Sequence, residues 1–149
     1  MRRLSLLGFI LGIVGTGWLI SATNLPGGWY ASLEKPSFNP PNWIFGPTWT
    51  VLYVLIAVAG WRTFFRDRNG PAFKVWICQM LLNLAWSPTV FRLHNLAAGL
   101  AIILILLLLI VTFILTQRSR DQVSALLFMP YAIWVAFASL LNYSLYQLN

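Results

Sequence analysis

Trp76, Gln79, Asn83 and Trp86 follow one another at steps of three, four and three residues, and Tyr131, Trp134, Ala138 and Asn142 at steps of three, four and four. On α-helices these spacings line each set along one face. Indole and phenol rings stack on flat apolar bodies and carboxamides hydrogen-bond polar edges, so two such faces can hold a flat, largely apolar molecule. The same faces also read as interhelical glue, because Gln79, Asn83 and Asn142 are costly against lipid and must turn inward in either case. A third aromatic group lies upstream, in WYASLEKPSFNPPNWIFGPTW from Trp29 to Trp49. It carries Trp29, Tyr30, Phe38, Trp43, Phe45 and Trp49, with Pro36, Pro40, Pro41 and Pro47 between them. Each proline fixes its own φ and turns the preceding residue away from helix, so this connection reads as a shaped lid.

The elements that position these groups are membrane helices. Of the 149 residues, 59% are apolar and 9% charged, and the mean hydropathy is +0.75, which no soluble domain matches. The expected fold is all-α: one domain, residues 1–149, a bundle of five transmembrane helices with the long aromatic and proline-rich loop between the first two. The spans fall at about 4–22, 47–65, 73–91, 96–116 and 122–148, each near the ~20 residues that cross a bilayer. The first is read as a retained helix rather than a cleaved signal: it is long for a signal core, and Gly8 and Gly12 suit close helix packing. Pro88 should kink or end the third span. Cys78 reads as a small packing residue.

The net charge of +7 does not imply nucleic acid. Arg2, Arg3, Arg62, Arg66, Arg68, Lys74, Arg118 and Arg120 would share one side of a five-span chain, with Lys35 and Arg92 opposite. The positive-inside rule places the N-terminus in the cytoplasm and the lid and C-terminus outside, in a bacterial inner membrane. Trp18, Trp61 and Trp43 fit an interfacial belt.

Other chemistry finds little support. Glu34, Asp67 and Asp121, the only acids, all fall in connections, which leaves no carboxylate for a proton relay within a span. No His, Cys, Asp and Glu cluster has metal-ligand spacing, and no nucleophile stands beside a base. Haem iron could meet His94, Cys78 or Met80, but none of them is on the two stripes.

Three segments carry a family resemblance: WYxSLxKPxFxPPxWxFGPxWxxLY from Trp29 to Tyr53, QxxLNxxWSP from Gln79 to Pro88, and PYxxWxxFAxxLN from Pro130 to Asn142. In this order they resemble the tryptophan-rich sensory protein/translocator protein family, also called the peripheral-type benzodiazepine receptor family. The resemblance implies a five-helix fold, commonly a homodimer, with a pocket beneath the first loop. It implies porphyrins such as protoporphyrin IX as ligands, and no required cofactor. Carried over by motif, the lid and upper pocket would involve Tyr30, Pro40, Phe45, Trp49 and Tyr53. The inner wall would take Asn83, Trp86, Trp134, Phe137, Ala138 and Asn142. Two positions depart from the family. The cholesterol motif of animal members ends in Lys or Arg, whereas Leu141-Asn142-Tyr143 here is followed by Ser-Leu-Tyr-Gln-Leu-Asn, which argues against cholesterol by that route. Arg92 stands where members usually carry a small residue, and reads as an arginine snorkelling to the interface.

Three functions compete on these grounds. The first is binding of tetrapyrroles for sensing, transport or sequestration, with Lys35 or Arg92 near the mouth for the propionates. The second is light-dependent oxidative degradation of the bound porphyrin, with Trp86 and Trp134 beside the ring. The third is a structural or partner-binding role, with Gly8 and Gly12 or Ala97 and Ala101 as packing faces.

Overall fold

The computed structural model describes residues 2–149. Six α-helices form: α1 (Arg2–Thr23), α2 (Gly27–Ser32), α3 (Phe45–Asp67), α4 (Pro71–Ser87), α5 (Leu96–Gln117) and α6 (Gln122–Leu148). No strand occurs among the described residues. The helices α1, α3, α5 and α6 are long and apolar enough to cross a membrane. In hydrocarbon, hydrogen bonding within each helix satisfies the backbone without water. α3 packs on α4 and α6, and α5 packs on the same two helices, which closes a four-helix cycle; α1 lies outside it, against α3.

Several sequence expectations change here. The lid is not wholly irregular: α2 occupies the stretch between Pro26 and Pro36, where no proline interrupts. Pro26 starts this turn, and the Lys35 ammonium closes it by donating to the carbonyls of Tyr30 (2.8 Å), Leu33 (3.2 Å) and Ala31 (3.4 Å). A 3₁₀ turn, Asn42–Ile44, leads into α3. Pro88 ends α4 but not the helical path, which widens into a π turn over Pro88–Arg92. Cys78 is exposed, because an apolar run alone does not say which face meets the core. Gly8 and Gly12 face away from the rest of the chain.

Close approach within the chain falls on other glycines. A Cβ on Gly17 would strike the Tyr53 ring, and one on Gly60 would strike the Trp76 indole. Gly17 therefore lets α1 lie on α3, and Gly60 lets Trp76 reach across from α4 to donate to the Ile56 carbonyl (3.0 Å). Between the two ends of the bundle, Ile56, Ile110, Phe113, Phe128 and Val135 are fully buried, and the Phe113 and Phe128 ring centroids are 4.1 Å apart.

A polar junction ties the basic end together. Arg62 donates to both carboxylate oxygens of Asp121, Nε at 3.0 Å and Nη2 at 2.8 Å, and Ser124 Oγ donates to the same carboxylate at 2.6 Å. Gln117 Nε2 donates to Thr63 Oγ1 (2.9 Å), joining α5 to α3 across the cycle. Burial opposes ionisation of Asp121, but the hydrogen bonds from Arg62 and Ser124 and the guanidinium charge outweigh it, holding the carboxyl at about 2 against an ordinary 3.8. A depressed carboxyl stabilises the fold above its unfolded pKa and ceases to do so as pH falls through its folded one. The thermal unfolding midpoint of the purified protein should lose this contribution between about pH 4 and pH 2. Asp121→Asn should be less stable at pH 7 by about 2 kcal/mol and show a flatter acid limb. An unchanged midpoint in that variant would remove the junction from the account.

Candidate functional site

The α4 and α6 stripes do meet, and α3 joins them. Tyr53 Oη donates to Asn83 Oδ1 (3.0 Å), Asn83 Nδ2 donates to Tyr131 Oη (2.7 Å), and Tyr131 Oη donates to Gln79 Oε1 (2.8 Å). All four side chains are buried. Gln79 Nε2 alone among them has no partner. In an apolar interior such a chain fixes the register of three helices at once, since each broken link strands a polar group. For Gln79, Asn83 and Tyr131 the interhelical role is therefore met. Trp76, bonded to the Ile56 carbonyl and stacked on Phe73 at 5.6 Å, serves packing too.

One helical turn nearer the lid, the surroundings become aromatic. Trp86 Nε1 donates to Asn142 Oδ1 (3.1 Å), and Asn142 Nδ2 donates to the Ala138 carbonyl (2.8 Å). Trp134 meets Phe45 edge to face at 5.8 Å and Phe137 at 5.7 Å, and Phe137 meets Phe38 at 6.3 Å. Trp49 contacts Tyr53 (5.6 Å) and Tyr131 (6.4 Å), so the entrance of α3 rests directly on the buried hydrogen-bonded chain. Ala138 and Asn142 are buried, while Phe45, Trp49, Trp86, Trp134 and Phe137 are half-buried. Walls from the lid, α4 and α6 thus touch one another above a polar floor.

Other expected residues lie at the margin. Tyr30, on α2, meets Phe91 edge to face at 5.4 Å, and Phe91 in turn meets Trp86 at 5.4 Å. Burial pushes the Tyr30 hydroxyl above its ordinary value. Pro40 is half-buried in the irregular stretch before the 3₁₀ turn. Lys35 is occupied by the α2 carbonyls and lies 4.7 Å from the centre of the Tyr30 ring. Arg92 is exposed and makes no ion pair among the described residues. Phe91 escaped sequence reasoning because it follows Trp86 by five residues. That separation shares a face only in the wider π turn that Pro88 begins.

Beside the lid, an outer cleft of about 740 Å³ opens between α2, the α4–α5 connection and the end of α6. Trp29 and His94 stack there at 4.2 Å and 11°. Asn149 holds the lid backbone at Glu34, accepting from its N–H (3.0 Å) and donating to its carbonyl (2.9 Å). Among the described residues no three His, Cys, Asp or Glu side chains are grouped to hold a metal.

Apolar helices long enough for a bilayer, joined by buried hydrogen bonds and covered at one end by an aromatic lid, define a helical integral membrane protein. The chain belongs to the TspO/MBR family, which matches residues 5–148. It is 42% identical over 125 residues to the tryptophan-rich protein TspO of Archaeoglobus fulgidus, covering 81% of this chain and 80% of that one. It is 39% identical over 130 residues to protein CrtK of Rhodobacter capsulatus (83% and 80% covered). The human translocator protein is 29% identical over 126 residues (81% and 75% covered).

Removing the Tyr131 hydroxyl strands groups on both sides of it, whereas removing that of Tyr53 strands one. Tyr131→Phe should therefore cost about 2–3 kcal/mol of stability and Tyr53→Phe about 1 kcal/mol. Denaturation in mixed micelles reads both, and equal costs would contradict a continuous chain.

Proposed function

We propose that this protein binds a tetrapyrrole between the lid and the α4 and α6 walls, and serves in sensing, transport or sequestration of porphyrins. The observation that carries this reading is the convergence of Phe45, Trp49, Trp86, Trp134 and Phe137 above the buried Tyr53–Asn83–Tyr131–Gln79 chain. Aromatic walls suit a porphyrin body, and the Trp86–Asn142 pair offers polar atoms at one edge. With Lys35 engaged by α2, Arg92 is the cation free to approach a propionate. The human relative's name, translocator protein, is consistent with carriage of a ligand. A single small bundle is easier to reconcile with sequestration or movement along a groove than with alternating access.

The same proposal includes five spans. The 17 residues of α4 continue without a break into the five of the π turn, about the length a bilayer needs. The basic residues at the ends of α3 and α5 support a cytoplasmic N-terminus in a bacterial inner membrane, with the lid outside. A homodimer could use the outward faces at Gly8 and Gly12 or at Ala97 and Ala101.

Protoporphyrin IX titrated into the protein in lipid nanodiscs should quench tryptophan fluorescence saturably. Ala138→Phe, which adds a ring at a buried wall position, should weaken binding by tenfold or more, about 1.4 kcal/mol. Non-saturable quenching, identical in both proteins, would refute the pocket. Product analysis after illumination of Trp134→Phe beside the wild type separates binding from light-dependent degradation: unchanged products and rates exclude a role for that tryptophan.

A further inference from the structure

The basic end of the bundle contains a feature that span orientation alone does not require. A cavity of about 320 Å³ lies where the ends of α3 and α5 face the start of α4, with Arg66, Asp67 and Arg120 beside Thr63, Gln117 and the small residues Gly70 and Ala72. Within its wall Gln117 donates to Thr63, and both are almost fully buried.

The charges around it are unequal. Asp121 is fully engaged by Arg62 and Ser124, and Arg62–Asp121 is the only ion pair among the described residues. Arg66 donates to the backbone carbonyl of Arg120, which leaves both guanidinium groups without an acid within ion-pair distance. Asp67 lines the cavity but lies against Gly70, where an added Cβ would meet its carboxylate. Arg68, Lys74 and Arg118 are exposed in the neighbouring turns and raise the positive potential over the opening. Positive-inside bias accounts for many arginines at this end. It does not account for two of them sharing one cavity beside the buried Thr63–Gln117 pair.

We infer that this cavity is a binding site for a phosphoryl oxyanion, held by Arg66 and Arg120. A guanidinium presents a planar fork of donors that matches two phosphate oxygens at once. Basic pockets between membrane helices on the cytoplasmic side take anionic head groups for this reason. The group has two sources, an anionic phospholipid of the adjacent leaflet or a free phosphate. The site is at the opposite end of α3 from the lid and does not depend on the tetrapyrrole reading.

The test is thermal unfolding of the detergent-purified full chain in two arms. One adds dioleoylphosphatidylglycerol, with dioleoylphosphatidylcholine as the zwitterionic comparison; the other adds sodium phosphate, with sodium chloride at equal ionic strength. At least one of phosphatidylglycerol and phosphate should raise the midpoint by about 3 °C or more over its comparison. Stabilisation by the lipid alone identifies a head-group site, and stabilisation by phosphate a site for the free anion. Arg66→Gln/Arg120→Gln should lose the shift, while Arg68→Gln/Arg118→Gln, with the same charge removed outside the cavity, should keep it. Should the first double variant fail to fold, Arg120→Gln alone tests the point, because Arg66 bonds the Arg120 backbone and not its side chain. No shift in the wild type, or equal loss in both double variants, would overturn the site.

Discussion

A bilayer offers no partner to a buried amide or phenol, and the architecture depends on how this chain answers that constraint. Tyr53, Asn83, Tyr131 and Gln79 bond to one another across α3, α4 and α6, and of their polar atoms only Gln79 Nε2 is left without a partner. Apolar packing alone is a weak organiser in lipid, since the surrounding acyl chains are as apolar as leucine. A chain of three hydrogen bonds through four side chains is directional, and it permits only one register of the three helices. Trp49 rests on two members of that chain, so the entrance to α3, and with it the end of the lid, is positioned by the same set of bonds.

The two ends of the bundle are built differently around this centre. Toward the lid the contacts are ring on ring and half-buried, a surface whose partners can separate at modest cost. Toward the basic end they are charge-assisted and multiply bonded, with Asp121 accepting three hydrogen bonds from Arg62 and Ser124. The division suits a protein that opens at one end while the other holds the helices together. Gly17 and Gly60 keep the central layer thin, because side chains there would collide with Tyr53 and Trp76.

Much of this was legible in the sequence, and the reasons are specific. The α4 and α6 stripes showed because polar residues at helical spacing in apolar runs have only one affordable direction, inward. The apolar runs that mark α1, α3, α5 and α6 as long enough to cross a membrane are visible without any tertiary contact. What stayed hidden depended on departures from the regular period or on tertiary contact. Phe91 joins the aromatic set only through the π turn. α2 was masked by the prolines on either side of it. The occupation of Lys35 by three carbonyls follows from that short helix and from no motif. Cys78 was misjudged because hydropathy identifies a span without identifying its lipid-facing side.

The central claim is that the lid and the two stripes enclose a tetrapyrrole above the hydrogen-bonded floor. A structure of the protoporphyrin IX complex in a lipid environment tests it most directly. The account predicts the macrocycle between Phe45 and Trp49 on one side and Trp86, Trp134 and Phe137 on the other. The Trp86–Asn142 contact should be opened, with the Tyr53–Asn83–Tyr131–Gln79 chain intact. A macrocycle seated instead in the outer cleft beside Trp29 and His94, or on the lipid-facing surface, would contradict it.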